Sequence, residues 1–234
     1  MDIAGLQKMT LLDYPGRVAC TVFLQGCNFR CPFCHNSELI PGKGEVLMTD
    51  GEFLGFLKKR KGLLDGVCVS GGEPTLQPEL PEFLTEIKAL GFAVKLDTNG
   101  SRPEVLKDLV SRGLVDYVAM DVKNSPERFA ETAGKRDLSL EPIEESLRFL
   151  LSGAVDHELR TTVVAELHDE ESILRIGQWL ENLAGGKKIK KLYLQPFADR
   201  DSVLFTGLHK PEDGQMDRFC AHLAPFAELV AIRG

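Results

Sequence analysis

The sequence has no long apolar segment, no excess of positive charge and few aromatic residues. No run approaches the roughly 18 apolar residues of a membrane-spanning helix, and no basic segment followed by an apolar one opens the chain. The formal net charge is −7, from 28 Lys and Arg against 35 Asp and Glu, which argues against a broad nucleic-acid surface. We therefore expect a cytoplasmic protein that binds neither nucleic acid nor a membrane, and whose macromolecular partner is another protein.

Length and composition are those of a globular protein. Of the 234 residues, 43% are hydrophobic and 27% are charged, and both values are ordinary for folded domains. Collagen-like, coiled-coil and disordered classes are excluded. Because the chain shows no internal repeat, low-complexity tract or linker, we predict that residues 1–234 form a single domain.

Short β-rich segments alternate with segments of helical period, which predicts six βα units. We predict strands at 18–24, 66–70, 93–97, 115–122, 157–164 and 191–195, and helices at 52–61, 78–90, 103–112, 141–151, 170–183 and 211–227. Six units are fewer than the eight of a closed barrel, so we expect an α/β fold with an open partial (β/α)6 barrel. A doubly wound sheet is the competing arrangement, and in both folds the chemistry gathers after the carboxyl ends of the strands.

Three cysteines follow the first predicted strand in a Cys-x3-Cys-x2-Cys motif. Cys27, Cys31 and Cys34 lie in the loop 26–36. With six cysteines in 234 residues, this spacing arises by chance in roughly 0.004 of such chains. In a reducing compartment clustered cysteines favour metal ligands over disulfides, and soft thiolates select iron–sulfur clusters or zinc. The motif therefore predicts a metal site.

The number of thiolates separates the candidate metals. A structural zinc site needs four protein ligands, and the nearby fourth candidate is His35. Three cysteines suit a [4Fe–4S] cluster that keeps one iron open for a substrate, because an ordinary closed cluster takes four. Phe29, Pro32 and Phe33 would then limit solvent access to the cluster. A three-cysteine zinc site with His35 and a plain electron-transfer cluster remain as alternatives.

The motif resembles that of the radical S-adenosylmethionine (SAM) family, in which an aromatic residue, here Phe33, precedes the third cysteine. The resemblance implies that the open iron binds the amino and carboxylate groups of SAM. It covers nearly the whole chain, and the segment 5–16 is most similar to the long form of the anaerobic ribonucleoside-triphosphate reductase activating proteins. It also implies a reaction: SAM is reductively cleaved to methionine and a 5′-deoxyadenosyl radical, which removes hydrogen from a glycine of a partner enzyme. The electron donor would be of the flavodoxin or ferredoxin type.

Polar and glycine residues at further strand ends are the candidates for SAM binding. Together with the aromatic residue of the motif, the cofactor-binding candidates are Phe33, Gly71, Gly72, Glu73, Asp97, Thr98, Asn99, Asp121 and Lys123. In the family, the Gly-Gly-Glu segment receives the methionyl amino group. Resemblance to the glycyl-radical-enzyme activases implies that Asp97 and Lys123 contact SAM, and that Asp97, Thr98 and Asp121 help hold a monovalent cation. Taken singly, these segments are also typical of glycine turns and a surface ion pair.

The chain departs from the pyruvate formate-lyase activases at one position. Those enzymes carry a histidine after the sixth strand that reaches SAM, whereas this chain has Ala198. Gln195 or Phe197 could substitute in contacting the adenosine. Arg160 aligns with an arginine of the same family and is predicted to brace Asp121, because a buried arginine needs a partner.

The other cysteines, Cys20, Cys68 and Cys220, are predicted to pack in the core, since their spacing cannot build a second cluster. A radical SAM enzyme acting on a small molecule would often carry such an auxiliary cluster. We therefore expect an activating enzyme whose partner is a glycyl radical enzyme, most simply the anaerobic ribonucleotide reductase. Activation of pyruvate formate-lyase, a small-molecule radical SAM enzyme and a non-enzymatic zinc or electron-transfer module remain as alternatives.

Overall fold

Nine β-strands and seven α-helices lie within residues 1–41 and 45–233, the residues that the computed structural model describes. The strands are β1 (Asp2–Thr10), β2 (Ala19–Leu24), β3 (Met48–Thr49), β4 (Gly66–Gly71), β5 (Ala93–Thr98), β6 (Tyr117–Asp121), β7 (Asp156–Val163), β8 (Ile189–Pro196) and β9 (Ala227–Ile232). The helices are α1 (Asp50–Lys58), α2 (Leu80–Ala89), α3 (Pro103–Ser111), α4 (Phe129–Thr132), α5 (Glu141–Leu151), α6 (Glu170–Leu183) and α7 (Gln215–Leu223). Short 3₁₀ helices cover Ser37–Leu39 and Pro74–Leu76.

The strand order is β3-β1-β2-β4-β5-β6-β7-β8-β9. The sheet is therefore open, with β3 and β9 as its edges, and the predicted α/β class with an open rather than closed sheet is confirmed. Contacts divide the chain into two compact units. The first comprises Met1–Asn28, Glu38–Thr98 and Arg102–Ala119, and the second comprises Phe29–Ser37, Asn99–Ser101 and Met120–Gly234. The prediction of a single domain over 1–234 stays a prediction.

The first unit is built on parallel strands. β2 pairs with β4 from Ala19 opposite Gly66 to Leu24 opposite Gly71, and β4 pairs with β5 in the same direction. Nearly every residue of β2 is buried, which is typical of a parallel strand covered on both faces. The register brings the carboxyl ends of β2 and β4 level, so the segments that follow them start side by side.

The second unit repeats the parallel arrangement in β7, β8 and β9. α6 begins after Asp169, whose carboxylate accepts a hydrogen bond from the Ser172 N–H in a capping box. Arg233, just beyond β9, forms two hydrogen bonds of 2.8 and 3.2 Å to the fully buried carboxylate of Glu158. The guanidinium of Arg233 also lies 3.6 Å from the ring centroid of Tyr193. This ion pair ties the chain beyond β9 to β7.

Most predicted elements are confirmed. The six predicted strands match β2, β4, β5, β6, β7 and β8 to within two residues at each end, and five of the six helices match to within three. The helix predicted at 211–227 is wrong at both ends. Gly214, with φ +76°, precedes the first helical residue, and the chain is already extended in β9 from Ala227. The prediction also missed β1, β3, β9 and α4.

The longest of the α-helices in the described residues, α6, has 14 residues. Within the part of the chain that the structure describes, none of them is both long and apolar enough to cross a membrane.

Candidate functional site

The cysteine loop begins directly after β2. In the first unit, the Gly26 N–H donates to the Leu39 carbonyl at 2.7 Å, and the Cys27 N–H donates to the Ile40 carbonyl at 3.3 Å. Cys27 is half-buried. These two backbone bonds pair the first residues of the loop with the chain that returns from it, so the Cys27 backbone is fixed.

The other two cysteines belong to the second unit. Cys31 is buried and Cys34 is half-buried, and the Cys34 N–H donates to the Cys31 carbonyl at 3.1 Å. This bond closes a turn that keeps the two residues close in space. All six cysteines, which lie within the described residues, are thiols rather than disulfides.

A half-buried network of opposite charges lies beside this turn. Lys123 Nζ is 2.9 Å from Asp121 Oδ2, and both Nε and Nη2 of Arg160 are 3.0 Å from Asp121 Oδ1. Burial alone would raise the pKa of Asp121, but Lys123 and Arg160 outweigh it and hold the pKa well below its ordinary value. Arg160 therefore braces Asp121, as its alignment predicted.

Lys123 also faces the cysteines. Burial alone would lower the pKa of Lys123, but Asp121, Cys31 and Cys34 outweigh it and raise the pKa. Its Nζ lies 6.0 Å from the ring centroid of Phe33. Because a nearby cation stabilises a thiolate over a thiol, Lys123 favours the metal-binding form of both cysteines.

The backbone of Lys123 is held by a histidine that the sequence did not single out. His168 is buried, its Nδ1 accepts from the Val164 N–H at 3.2 Å, and its Nε2 lies 2.9 Å from the Lys123 carbonyl. The ring is therefore neutral, with its proton on Nε2. Burial lowers the pKa of His168 to about 4, so this hydrogen bond persists at neutral pH. The histidine had no ligand spacing, and no local signal could have identified its role.

The Gly-Gly pair joins the ends of two strands in the first unit. A Cβ on Gly71, whose φ is +128°, would lie 2.2 Å from the Leu24 carbonyl oxygen, and one on Gly72 would lie 2.1 Å from the Gly26 oxygen. The Gly72 N–H donates to Leu24 and the Glu73 N–H donates to Gly26. Positions 71 and 72 therefore have to be glycine, because backbone atoms of Leu24 and Gly26 occupy the space that a Cβ atom would need.

The Glu73 side chain is fully buried. Its Oε1 accepts hydrogen bonds from the Thr75 N–H at 3.1 Å, the Thr75 hydroxyl at 2.5 Å and the Thr98 hydroxyl at 2.8 Å. Two predicted site residues, Glu73 at the end of β4 and Thr98 at the end of β5, are thus brought into direct contact.

Asp97 has a partner that the sequence analysis missed. Lys95 is 1% exposed and its Nζ lies 2.5 Å from Asp97 Oδ1. The spacing of two residues along β5 could have suggested the pair, since side chains at i and i+2 share one face of a strand. In the second unit, Asn99 accepts from the Ser101 N–H at 2.9 Å, which makes a local turn.

His35 is engaged with the segment after β8. Its Nε2 lies 2.7 Å from the Ala198 carbonyl oxygen, and its ring stacks on Phe197 with centroids 5.8 Å apart. Ser202 donates to the His35 carbonyl at 2.7 Å. One ring nitrogen of His35 is therefore engaged by a backbone carbonyl and its ring by Phe197, which fixes the orientation of the side chain.

Within the second unit, Cys31 and Cys34 lie beside the Lys123 ammonium, and Phe29 and Phe33 are buried in the same loop, surroundings that suit thiolate ligands of an iron–sulfur cluster. No group of three His, Cys, Asp or Glu side chains among the described residues is arranged to hold a single metal ion. A [4Fe–4S] cluster does not need such a group, because each cysteine thiolate binds a different iron atom.

Two of the three remaining cysteines confirm the packing prediction. Cys20 and Cys68 lie fully buried in β2 and β4, and burial raises the pKa of Cys20 to about 12. Cys220 is half-buried on α7, where burial raises the pKa of its thiol.

Comparisons with known proteins show the family of the chain. The radical SAM superfamily matches residues 21–176. A Methanocaldococcus jannaschii protein named as a glycyl-radical enzyme activating enzyme is 32% identical, covering 99% of this chain and 95% of that protein. The pyruvate formate-lyase-activating enzyme of Clostridium pasteurianum is 30% identical, covering 81% of this chain and 80% of that enzyme.

Two solved structures share the fold. Streptococcus suis SuiB bound to its precursor peptide SuiA has a TM-score of 0.71 at 13% identity, covering 92% of this chain and 48% of SuiB. The chain thus spans about half the length of SuiB. Native anSMEcpe with bound AdoMet has a TM-score of 0.65 at 17% identity, covering 90% of this chain and 61% of that one. On the family match and the relative that aligns over nearly its full length, the chain belongs to the radical SAM superfamily and, within it, to the glycyl-radical-enzyme activating enzymes.

Proposed function

We propose that this protein binds a [4Fe–4S] cluster through Cys27, Cys31 and Cys34, cleaves SAM reductively and installs a glycyl radical on a partner enzyme. The observation that carries the proposal is the Lys123 ammonium, held by Asp121 beside Cys31 and Cys34. A nearby cation favours the thiolate form, which is the form that binds metals. Family membership implies both cofactors and a glycyl radical enzyme as partner.

The proposed SAM-binding set combines the loop aromatic residue with the strand-end residues. It comprises Phe33, Gly71, Gly72, Glu73, Asp97, Thr98, Asn99, Asp121 and Lys123. Because the Glu73 carboxylate accepts hydrogen bonds from Thr75 and Thr98, we propose that the backbone of this segment, rather than the carboxylate, meets the methionyl part of SAM. Lys123 is a compact cation suited to a carboxylate or ribose oxygen.

When bound, the cluster would supply one electron for the reductive cleavage of SAM, and SAM would supply the radical that takes hydrogen from a glycine. The protein's own residues contribute positioning. Arg160 holds the Asp121 carboxylate, which holds Lys123, and Phe33 covers the same region with apolar surface. A fixed, partly dry set of charges of this kind needs no reorganisation when the ligand binds.

The monovalent cation at Asp97, Thr98 and Asp121 stays a prediction. Asp97 is paired with Lys95, and Asp121 is paired with Lys123 and Arg160. A bound cation would therefore share these carboxylates with ammonium and guanidinium groups. Titration of SAM in potassium, sodium and choline buffers of equal ionic strength tests the prediction, and identical affinities in all three would reject it.

We propose the anaerobic ribonucleotide reductase as the partner and a flavodoxin or ferredoxin as the electron donor, on the resemblance of the segment 5–16 to its activating proteins. A second candidate is pyruvate formate-lyase, favoured by the 30% identity to an activating enzyme of that partner. Both proposals share a cytoplasmic location, where thiols remain reduced.

Anaerobic reconstitution tests the chemistry. We expect about four irons and four sulfides per chain, reductive SAM cleavage, and the electron paramagnetic resonance doublet of a glycyl radical on a candidate reductase. Cys34→Ser should lose iron, whereas Cys220→Ser, on α7, should keep it. A colourless protein with stoichiometric zinc, or equal iron loss in both variants, would reject the proposal.

Binding of SAM tests Lys123 separately. We expect Lys123→Gln to weaken SAM binding to the reconstituted protein about tenfold, the effect of losing a hydrogen bond to a charged group. The matched control is Lys88→Gln, since Lys88 forms an exposed ion pair with Asp116. Equal affinities for SAM in the two variants would remove Lys123 from the binding set.

A further inference from the structure

The segment 124–134, which links Lys123 to the end of α4, contacts the cysteine loop within the second unit. The Arg30 N–H donates to the Ala133 carbonyl at 2.9 Å. The rings of Phe29 and Phe129, both buried, meet edge to face with centroids 6.5 Å apart. The loop residues directly before Cys31 are therefore touched by this segment through both backbone and side chain.

Gly134 makes the closest approach. Its φ is +64°, and a Cβ built on it would lie 2.1 Å from the Arg30 carbonyl oxygen, 2.6 Å from the Arg30 carbonyl carbon and 3.3 Å from the Arg30 Cα. All three atoms are backbone, so no side chain could rotate away. The peptide that carries this oxygen joins Arg30 to Cys31.

The segment itself is anchored on the far side. Asn124 is fully buried, and its Nδ2 donates to Thr132 Oγ1 at 2.9 Å and to the Leu167 carbonyl at 2.8 Å. Phe129 packs against Trp179 of α6 with centroids 6.1 Å apart. α4 therefore cannot move back to make room for a larger residue at position 134.

From this geometry we propose that the segment 124–134 is a positioning element for the cysteine loop, and that Gly134 sets the position of Cys31. The proposal rests on the proposed function, because Cys31 would be a cluster ligand. Gly134 and Phe129 are positioning residues that act through the loop and would not touch the cluster or SAM. The segment also starts at Lys123, so one short stretch of chain fixes both a ligand and the cation beside it.

The chain offers a matched control for Gly134. Gly153 follows α5 as Gly134 follows α4, one residue beyond the cap, and its φ is +84°. A Cβ on Gly153 would meet nothing within 4 Å. Gly153→Ala therefore carries the same backbone strain as Gly134→Ala without the contact to the loop.

Cluster retention and thiol reactivity form the test. We expect the reconstituted Gly134→Ala protein to lose its cluster to a chelator about tenfold faster than wild type, the size of effect that residues supporting metal ligands typically have. Gly153→Ala should match wild type. In the protein without cluster, iodoacetamide should label Cys31 faster in Gly134→Ala than in Gly153→Ala, because a displaced loop exposes the buried thiol.

Phe129→Leu is the second variant, because it weakens the ring contact with Phe29 without changing a backbone torsion. If Gly134→Ala does not fold, Phe129→Leu tests whether the segment 124–134 positions the cysteine loop. Folded variants that retain the cluster and protect Cys31 as Gly153→Ala does would overturn the proposal. A wild-type protein that binds no iron would instead reject the proposed function, while the labelling of Cys31 would still test the positioning role.

Discussion

Arg160→Met should destabilise the protein through the loss of the contacts between Arg160 and the Asp121 carboxylate. Two of its nitrogens, Nε and Nη2, each lie 3.0 Å from Asp121 Oδ1. Methionine keeps much of the apolar stem but removes both donors, so Asp121 would depend on Lys123 alone. The change therefore tests how much the charge network beside Cys31 and Cys34 contributes to the free energy of unfolding.

The expected magnitude is set by burial. Removing one partner of a fully buried ion pair costs about 3–5 kcal/mol, but the Asp121 side chain is 31% exposed and keeps a second cation. A hydrogen bond to a charged group is worth roughly 1.5–3 kcal/mol, so we expect a loss of about 2 kcal/mol. With a denaturant slope of about 2–3 kcal/mol per molar urea, the midpoint should fall by roughly 0.7–1 M.

Urea unfolding of the reduced, cluster-depleted protein at pH 7.5, followed by circular dichroism, measures this change. The control is Arg112→Met, since Arg112 pairs with Asp108 on the surface of α3, where both side chains are about half exposed. Exposed pairs of this kind contribute at most about 0.5 kcal/mol. Equal midpoints for the two variants would refute the reasoning.

The same pair gives a pH dependence with a defined sign. The pKa of Asp121 is lowered in the folded protein, so the resulting stability is fully present above its unfolded value near 4 and is lost as the pH falls through the lower folded value. The difference in unfolding free energy between wild type and Arg160→Met should therefore shrink as the pH falls below about 4. A difference that stays constant down to pH 2 would show that Arg160 acts through packing alone.

Three further predictions concern other positions. The pKa of His168 is about 4 in the folded protein, against 6.5 in the unfolded chain. The free energy of unfolding of wild type should therefore fall by about 2 kcal/mol between pH 7 and pH 5 because of this group. The fall should be smaller in His168→Gln, and urea midpoints measured at both pH values check this. Glu158→Gln leaves Arg233 without its buried counter-charge, which should lower Tm by roughly 5–10 °C; an unchanged Tm by calorimetry would contradict this. Gly72→Ala forces a Cβ against a backbone oxygen and should cost about 1–3 kcal/mol in urea unfolding, whereas Gly55→Ala, in open space on α1, should cost nothing.

The sequence-based predictions succeeded where the signal is local. The spacing of Cys27, Cys31 and Cys34 is visible within eight residues, and the strands before the candidate site residues are short segments rich in apolar residues. α5 and α6 match their predicted bounds because their apolar periodicity is strong and nothing competes with it. At 211–227 the apolar pattern continues into β9, so periodicity alone could not find where the helix ends.

The contacts that the sequence analysis missed join residues that are distant in sequence, or residues whose type does not show whether they are buried. Lys95 looks like a surface residue in its segment, and only the packing of β5 shows that it is buried against Asp97. His168 reaches the Lys123 carbonyl across 45 residues. Gly134 stands after a four-residue helix that no periodicity could reveal, and its importance depends on where the Arg30 carbonyl lies. These contacts depend on tertiary packing, about which local sequence patterns carry no information.

Two carboxylates of the candidate site, those of Glu73 and Asp121, are held in the same way. Glu73 at the end of β4 is held by Thr98 at the end of β5, and Asp121 at the end of β6 is held by Arg160 of β7. In each case a residue from the next strand along the chain fixes the rotamer of a carboxylate. Such pairs arise where neighbouring strands carry complementary side chains, as Glu73 with Thr98 and Asp121 with Arg160 do within their own units. The placement of each carboxylate thus depends on the next strand, and the residues that support a ligand contact should be sought there before they are sought in the loops.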